Sequence, residues 1–286
     1  VPPRPAIPVI DLGPASPATL ALRLPEGLAA LLAAGRRHYG RLPVAWADRR
    51  SRAWLARSGS PLLAEIAAVE RLAGRPGAAL LNLAHEWACT SALLPAAGGG
   101  FRLRRTLDWP FDGLGRGLVL LRRLAPAGPV LEASWPGFVG SLTGLAPGRF
   151  ALAFNQAPRR RHPLGRPGAW LGDRRRVSRA RALPPAHLLR LVLDRASDFD
   201  QALALLRDTP LCLPGLITLA GPAPGQGVII EREADAARLC WGAGADGDRQ
   251  MMVDRDEARL RARRRDGRAE ATDHRVDGED LARPSV

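Results

Sequence analysis

Hydrophobic and polar residues follow a helical period in several stretches of the chain. Apolar residues recur every three to four positions in residues 61–74 (PLLAEIAAVERLAG), which begin at a proline and end at a glycine. Residues 18–39 show the same period, which Pro25 and Gly27 divide into two pieces. The pattern predicts three more helices, in the sequences AALLNLAHEW, PPAHLLRLVLDRA and SDFDQALALLRD. Ser197 is the predicted N-cap of the last one.

Short apolar runs between tight turns predict strands in the rest of the chain. The glycines of residues 98–100 separate CTSALLPAA from FRLRRTLDW and indicate a hairpin. Further strands are predicted in GLVLLRRL, PVLEASW, GFVGSLTGL, GRFALAFN, GLITLAG, GVIIERE and AARLCWG. Because helices and strands come in separate blocks, the order favours an α+β fold with antiparallel sheets over a parallel βαβ arrangement. Residues 157–184 have no such period and are predicted to form a loop.

The hairpin brings charged side chains back towards a cysteine. A two-residue turn at residues 98–99 predicts Cys89 opposite Asp108 and Ala92 opposite Arg105. Arg105 and Asp108 are three positions apart, so a regular strand directs them to opposite faces. A bulge or a strand end is therefore required if both side chains serve one site.

The charge of the chain comes from arginine. The sequence has 286 residues and a formal net charge of +14, and no lysine occurs among its 42 basic residues. Two explanations stay open: GC-rich coding bias, or contact with a polyanion or an anionic membrane surface. The clusters PRRRHPLGRPGAWLGDRRRVSRAR and RLRARRRDGR lack the regular aromatics of a base-stacking platform, so no specific nucleic acid is predicted. The first residues lack the pattern of a signal peptide, which favours a cytoplasmic location.

The cysteines point to a single reactive thiol. Three widely spaced cysteines without a CxxC pair or a Cys/His cluster predict neither a disulfide framework nor a zinc site, and no cofactor is expected. Cys212 and Cys240 lie in apolar runs and are predicted to be core residues. Cys89 has a potential thiolate-stabilising arginine in Arg105. Its base is either His85, four residues earlier, or the α-amine that Cys89 gains if the preceding bond is cut.

Several motifs resemble one family of enzymes. Cys89-Thr90-Ser91, followed by the Arg-x-x-Asp element Arg105 to Asp108, is similar to the start of the mature chain in the acid ceramidase and N-acylethanolamine acid amidase family. That family belongs to the cholylglycine hydrolase-like group of N-terminal nucleophile hydrolases. The segments ASWPGFVGSLTGLAPGRFALAFNQ and GLITLAGPAPGQGVIIERE resemble two further family segments, in the same order. The likeness extends over about residues 60–235.

The resemblance implies roles for the residues that match. Cleavage between Ala88 and Cys89 would free the nucleophile Cys89 and its α-amine base. Asp108 would orient that amine, and Arg105 would stabilise the charged thiolate. Asn155 would lie near the substrate carbonyl.

Two positions depart from the family pattern. Gln156 stands where the family has Glu, which keeps a polar group without its charge. Val253 and Asp254 stand where the family has a Thr-Asn pair, whose Asn donates to the oxyanion. An ionised carboxylate cannot donate this bond, and losing one such donor costs about 10²–10³ in rate.

The resemblance also implies a fold and an activity. The fold would be a four-layer αββα sandwich, with residues 1–88 as a helical α-chain and residues 89–286 as the catalytic β-chain. The activity would be hydrolysis of N-acyl amides with a lipid-like or other apolar acyl group. Two alternatives remain: an acyltransferase of the same fold, and an inactive homologue that binds anionic lipid or another polyanion.

Overall fold

A computed structural model describes most of the chain. It covers residues 6–83, 88–97, 99–108, 113–157, 179–234, 236–242 and 251–253, and at residues 88, 108 and 251–253 it describes the backbone alone. The helices are α1 Thr19–Arg23, α2 Pro25–Tyr39, α3 Arg41–Leu55, α4 Leu63–Ala73, α5 Ala78–Leu81, α6 Pro185–Arg195 and α7 Phe199–Asp208. The first strands are β1 Val9–Gly13, β2 Ala88–Pro95, β3 Phe101–Asp108, β4 Val119–Ala125 and β5 Gly128–Ser134. The others are β6 Thr143–Ala146, β7 Phe150–Gln156, β8 Gly215–Ala220, β9 Gly227–Arg232, β10 Ala237–Trp241 and β11 Met251–Val253.

The strands form two sheets. The larger has eight strands in the order β1-β4-β5-β6-β7-β8-β9-β10, and the smaller has three in the order β11-β2-β3. From β4 to β10 every neighbouring pair is antiparallel and consecutive in the chain, although two helices, α6 and α7, come between β7 and β8. At the edge, β1 pairs in parallel with β4. The antiparallel pairing that the sequence favours is confirmed for β4 to β10.

The large sheet has a different partner on each face of its centre. Phe154 of β7 and Ile217 of β8 are buried in a core that includes Leu189 of α6. Asn155 and Thr218 alternate with them along the same strands and contact β2 of the small sheet. The layers are therefore helices, large sheet and small sheet, and the α+β class predicted from the sequence is confirmed.

The N-terminal helices hold the loop that precedes β6. Asn82, at the end of α5, is 1% exposed. Its Nδ2 donates to the carbonyl of Gly137 at 2.9 Å, and its Oδ1 accepts from the Val139 amide at 2.8 Å. On the other side of this loop, the Ser141 amide donates to the Ala186 carbonyl at 2.8 Å. The loop that leads into Thr143 is thus fixed from two sides.

Several local features differ from the sequence prediction. Strand β6 begins only at Thr143, inside the predicted run GFVGSLTGL. Helix α3 was not predicted, because its buried face contains Asp48 and Ser51 and so lacks a continuous apolar stripe. Asp48 is buried because its Oδ1 accepts from the Leu80 amide at 3.0 Å. Ser197 is not the N-cap of α7; Asp198 is, and its side chain accepts from the backbone amide three residues on. Among the described residues no helix is both long and apolar enough to cross the membrane.

Candidate active site

The hairpin of β2 and β3 supplies the centre of the candidate site. Cys89 lies opposite Leu107, and Ser91 lies opposite Arg105. Cys89 and Ser91 are 5% and 1% exposed, whereas Thr106 on the alternate face of β3 is exposed. Cys89, Ser91 and Arg105 therefore share the face that packs against the large sheet.

The predicted register of this hairpin was wrong by one residue. Asp108 lies opposite Ala88, not Cys89, and Arg105 does not lie opposite Ala92. The turn is a five-residue loop, residues 96–100, closed by hydrogen bonds from the Ala96 amide to the Gly100 carbonyl and from the Gly99 amide back to Ala96. A two-residue turn would have shifted every pair, because register depends on loop length.

Contacts outside the hairpin require this loop. Gly99 has a φ of +90°, in the region that favours glycine. A Cβ on Gly100 would lie 2.6 Å from the Gly221 carbonyl oxygen, so this position has no room for a side chain. The Phe101 amide donates to the same Gly221 carbonyl at 3.1 Å. The large sheet therefore fixes where the hairpin turns, and with it which side chains meet Cys89.

Arg105 connects the thiol to the large sheet. Its Nη2 donates to the Cys89 sulfur at 3.0 Å and to the Phe154 carbonyl at 2.7 Å. Its Nη1 donates to the Leu142 carbonyl and to Oγ1 of Thr143. The planar guanidinium thus fills the space between the two sheets, with one edge on the sulfur.

Burial and the neighbouring thiol have opposite effects on the charge of Arg105. Burial lowers the pKa of the Arg105 guanidinium. The neighbouring Cys89 acts against this shift and raises the pKa. Arginine remains protonated throughout the physiological range in spite of such shifts. A permanent positive charge in hydrogen-bond contact favours the thiolate form of Cys89, which is the nucleophilic form.

Asn155 lies on the backbone side of the thiol. It is 2% exposed, and its amide fits in two orientations. In one, Nδ2 donates to the Cys89 carbonyl at 3.3 Å. With oxygen and nitrogen exchanged, the oxygen accepts from the amide and hydroxyl of Ser91 at 3.2 and 3.1 Å, and the nitrogen donates to the Phe154 carbonyl at 3.2 Å. The exchanged orientation satisfies more groups and is favoured; both place Asn155 against β2 beside Cys89.

Three hydroxyl residues at the site were not identified from the sequence. Oγ of Ser91 and Oγ1 of Thr218 lie 2.7 Å apart in the buried space between the sheets. Thr143 accepts from Arg105 at the start of β6. Ser91, Thr143 and Thr218 all lie inside motifs that carry the family resemblance, which was the available signal.

For the other predicted site residues, the structure gives a backbone position, a different strand face or no description. Asp108 lies opposite Ala88 in the backbone register, which brings it next to the Ala88–Cys89 peptide bond. Gln156 is half-buried at the end of β7, where strand alternation directs it to the face opposite that of Asn155. Strand β11 pairs with β2 so that Val253 lies opposite Ser91. The predicted Asp254 lies outside the described residues.

The histidines that the structure describes do not serve the thiol. His187 is fully buried between α6 and the N-terminal helices, with Nδ1 2.8 Å from Oγ of Ser60 and Nε2 3.1 Å from the Asn82 carbonyl. Burial is the main cause that lowers its pKa to about 4. His38 is exposed at the end of α2. The candidate base His85 lies outside the described residues.

The other thiols have the core positions that the sequence predicts. Cys212 is 2% exposed, and burial raises its pKa above the usual range of a thiol. Cys240 is half-buried and packs in the apolar cluster between the sheets. In the part of the chain that the structure describes, no group of three or more His, Cys, Asp or Glu side chains is arranged to hold a metal ion.

Comparison with known proteins gives two groups of relatives. Over 166 residues, the chain is 28% identical to the N-acylethanolamine-hydrolyzing acid amidase of Oryctolagus cuniculus. The aligned region covers 57% of this chain and 44% of that amidase. Over 101 residues, it is 32% identical to the acid ceramidase of Heterocephalus glaber, and this aligned region covers 35% of this chain and 24% of that ceramidase. The aligned region thus spans less than half the length of these curated relatives. No family model matches the chain.

A solved structure has the same fold. It is the Caenorhabditis elegans N-acylethanolamine-hydrolyzing acid amidase (NAAA) ortholog, with 19% sequence identity and a TM-score of 0.50. The similarity covers 58% of this chain and 69% of that chain. The resemblance to the acid ceramidase and N-acylethanolamine acid amidase family, first indicated by the motifs around Cys89, is confirmed by these comparisons.

Proposed function

We propose that this chain, which resembles the acid ceramidase and N-acylethanolamine acid amidase family, is an amide hydrolase that cleaves itself before Cys89. The observation that carries the proposal is the 3.0 Å contact between Nη2 of Arg105 and the sulfur of Cys89. Burying the charged guanidinium of Arg105 costs free energy, because burial disfavours its charged form. Packing between the two sheets alone would not require a cation at this position. Its chemical effect is to stabilise a thiolate at the first residue of the proposed β-chain.

Self-cleavage would use the same thiol. The Cys89 sulfur attacks the Ala88 carbonyl carbon, and the C–N bond to Cys89 breaks as its nitrogen takes a proton. The resulting thioester is then hydrolysed by water, which leaves an Ala88 carboxylate, a free thiol and a free α-amine. The position of Asp108 opposite Ala88 supports this step, because it brings a carboxylate-bearing residue to the new amine.

Turnover would repeat this chemistry on a substrate. The α-amine of Cys89, with a pKa of about 8, accepts the thiol proton as the sulfur attacks the acyl carbon of an amide. The amine product leaves with that proton, and water hydrolyses the acyl thioester to a carboxylic acid. Asp108 would orient the α-amine, and Arg105 would stabilise the thiolate before attack. The relatives' names support an N-acyl lipid amide as the substrate class.

The two fragments would stay together after cleavage. The proposed α-chain, residues 1–88, bonds to the β-chain through Asn82, which contacts Gly137 and Val139, and through Ser60, which contacts His187. These contacts are buried, and β1 adds a parallel pairing with β4. Cleavage of one peptide bond removes none of them.

Intact mass and denaturing electrophoresis test the proposal directly. Mildly acidic incubation should yield two fragments, the second starting at Cys89, and Cys89→Ala should remain a single chain. Cys240→Ala, a matched loss of another thiol, should cleave as the wild type does. The cleaved protein should then release ethanolamine from a long-chain N-acylethanolamine. A wild-type chain that stays intact and inactive under these conditions overturns the proposal, and transfer of the acyl group to added amine identifies an acyltransferase.

The exposed face of α3 supports a second function, contact with an anionic membrane surface. Leu42 and Trp46 are 84% and 53% exposed on this face. Arg41 and Arg49 are exposed beside them, and the guanidinium of Arg50 lies 5.7 Å from the Trp46 ring centre. A helix with apolar and aromatic residues flanked by arginine fits the boundary of an anionic bilayer. The arginine clusters on which the sequence-based prediction relied lie mostly outside the described residues.

Vesicle sedimentation tests this second function. The protein should sediment with phosphatidylserine vesicles at low salt and much less with neutral phosphatidylcholine vesicles. Leu42→Ser combined with Trp46→Ser should reduce sedimentation several-fold, whereas Leu72→Ser, on an exposed leucine of α4, should not. Equal binding to both vesicle types, or binding only to free polyanions such as heparin, contradicts it.

A further inference from the structure

The guanidinium of Arg105 is held by groups from two neighbouring strands. Leu142 and Phe154 are already joined, because the Phe154 amide donates to the Leu142 carbonyl at 3.0 Å. Nη1 of Arg105 donates to that same Leu142 carbonyl, and Nη2 donates to the Phe154 carbonyl at 2.7 Å. The guanidinium therefore extends the hydrogen-bond pattern where β6 and β7 meet.

Thr143 adds the side-chain part of this cradle. Its Oγ1 accepts from Nη1 of Arg105, and its backbone lies opposite Ala153, one residue before the Phe154 carbonyl. Among the described residues, the acceptors of Arg105 are two carbonyls, this hydroxyl and the Cys89 sulfur. Apart from Cys89 itself, Thr143 is thus the one side chain among these acceptors, and it can help to orient the guanidinium without taking part in the reaction.

The other nitrogen of Arg105 gives no help with orientation. Nε is buried without a hydrogen-bond partner in the described part of the chain. The direction of the guanidinium therefore depends on its two terminal nitrogens. Because the group is planar, a fixed Nη1 sets the line along which Nη2 donates. If Nη1 loses the Thr143 hydroxyl, one of its two acceptors is gone, and Nη2 is held less firmly on the sulfur.

We propose that Thr143 is a positioning residue for the nucleophile: its hydroxyl holds Nη1 of Arg105 so that Nη2 donates to the sulfur of Cys89. This inference rests on the proposed role of Cys89 as a reactive thiol. Thr143 acts through Arg105 and makes no contact of its own with the reacting sulfur in the hydrogen bonds described. Its contribution is to the fraction of Cys89 present as thiolate at a given pH.

Other charges near the sulfur are few in the described residues. Arg105 of β3 is the cation in contact with Cys89, and Asn155 of β7 is neutral. Asp108 lies one residue away in the register of the hairpin, opposite Ala88. Since the Asp108 carboxylate is common to all the variants below, differences among them report on Thr143 and Arg105.

The test is the pH dependence of alkylation at Cys89 in the full chain. Iodoacetamide labelling is followed by mass spectrometry of the Cys89 peptide, with Cys240 as the reference thiol in the same sample. Thr143→Val should raise the midpoint of the pH profile by about 0.5 to 1 unit, because the thiolate loses a well-placed cation. Thr143→Ser should restore the wild-type midpoint. Thr106→Val, on the exposed face of β3, should leave it unchanged.

Each outcome decides the question. A wild-type midpoint in Thr143→Val overturns the proposal, and so does a raised midpoint that Thr143→Ser fails to restore. If Thr143→Val does not fold, as judged by its near-UV circular dichroism, the smaller Thr143→Ala replaces it under the same criteria. Labelling does not require amidase activity. A shifted midpoint in a chain that never cleaves would therefore support Thr143 and refute the proposed function separately.

Discussion

Nη2 of Arg105 lies 3.0 Å from the sulfur of Cys89, although the two residues are sixteen positions apart and lie on the two strands of a hairpin. The contact exists because both side chains lie on the inner face of the small sheet. It gives the thiol a permanent cation and gives the buried cation a polarisable partner.

Loss of the charge at Arg105 should impair the thiol. Arg105→Met keeps much of the side-chain volume but removes the cation, so the thiol pKa should rise by about one to two units. At a pH below that pKa, we expect cleavage and turnover to slow about 10- to 100-fold. Arg104→Met, on the exposed neighbour of the same strand, is the matched control and should keep the wild-type rates. Equal loss in both variants would indicate a general effect of charge.

Asn155 should respond differently to two substitutions. Asn155→Ala removes the side-chain acceptor of the Ser91 amide and one of the two side-chain partners of the Ser91 hydroxyl, which should cost about 1–3 kcal/mol of unfolding free energy. Asn155→Asp can still accept those bonds but cannot donate to a carbonyl, and its charge disfavours a nearby thiolate. We expect Asp to retain more stability in urea unfolding than Ala, yet to cleave more slowly than the wild type. Wild-type cleavage by Asn155→Asp would contradict a donor role.

His187 should make the fold sensitive to acid. Its folded pKa is about 4 and its reference value is 6.5, so between these values the unfolded chain binds a proton that the folded chain does not. Stability from this residue is therefore complete above about pH 6.5 and decreases as pH falls towards 4, by an amount on the order of 3 kcal/mol. Arg190 lies nearby and opposes protonation of His187 as well.

Urea unfolding at several pH values measures this effect. His187→Gln should have a flatter dependence on pH between 4 and 6.5 than the wild type, even if its stability at pH 7 is lower. His38→Gln, at an exposed position, should retain the full pH dependence. A wild-type slope in His187→Gln would show that other groups cause the acid sensitivity.

Gly100 should be intolerant of a side chain. A Cβ there would lie 2.6 Å from the Gly221 carbonyl oxygen, so Gly100→Ala must displace backbone where the hairpin meets the large sheet. We expect a loss of about 2 kcal/mol or more in unfolding free energy and slower cleavage, because the hairpin sets the Cys89–Arg105 contact. Gly35→Ala, in helix α2 with nothing within 4 Å of the added Cβ, should instead stabilise by about 0.5–1 kcal/mol. Thermal unfolding of both variants measures the difference.

Local patterns were sufficient for most elements and insufficient at particular positions. The runs that predict β4, β5 and β7 to β10 match the observed strands, because short apolar runs between turns are a local signal. Strand β6 begins only at Thr143, inside the predicted run GFVGSLTGL. Helix α3 escaped prediction because Asp48, on its buried face, is satisfied by the amide of Leu80, thirty-two residues later in the chain. The capping of α7 by Asp198 instead of Ser197 is a choice between neighbouring residues with similar capping chemistry.

The sequence by itself determined the α+β class and the order of most elements, because periodicity is a local property. The family resemblance of its motifs added Asn155 to Cys89 and Arg105 as candidate site residues. The tertiary structure decided the register of the hairpin, since contacts of Gly100 with Gly221 on the large sheet select a five-residue loop. It also decided that Thr143, in a distant strand, holds Arg105. Such contacts depend on how two sheets pack, and packing is set by the whole fold.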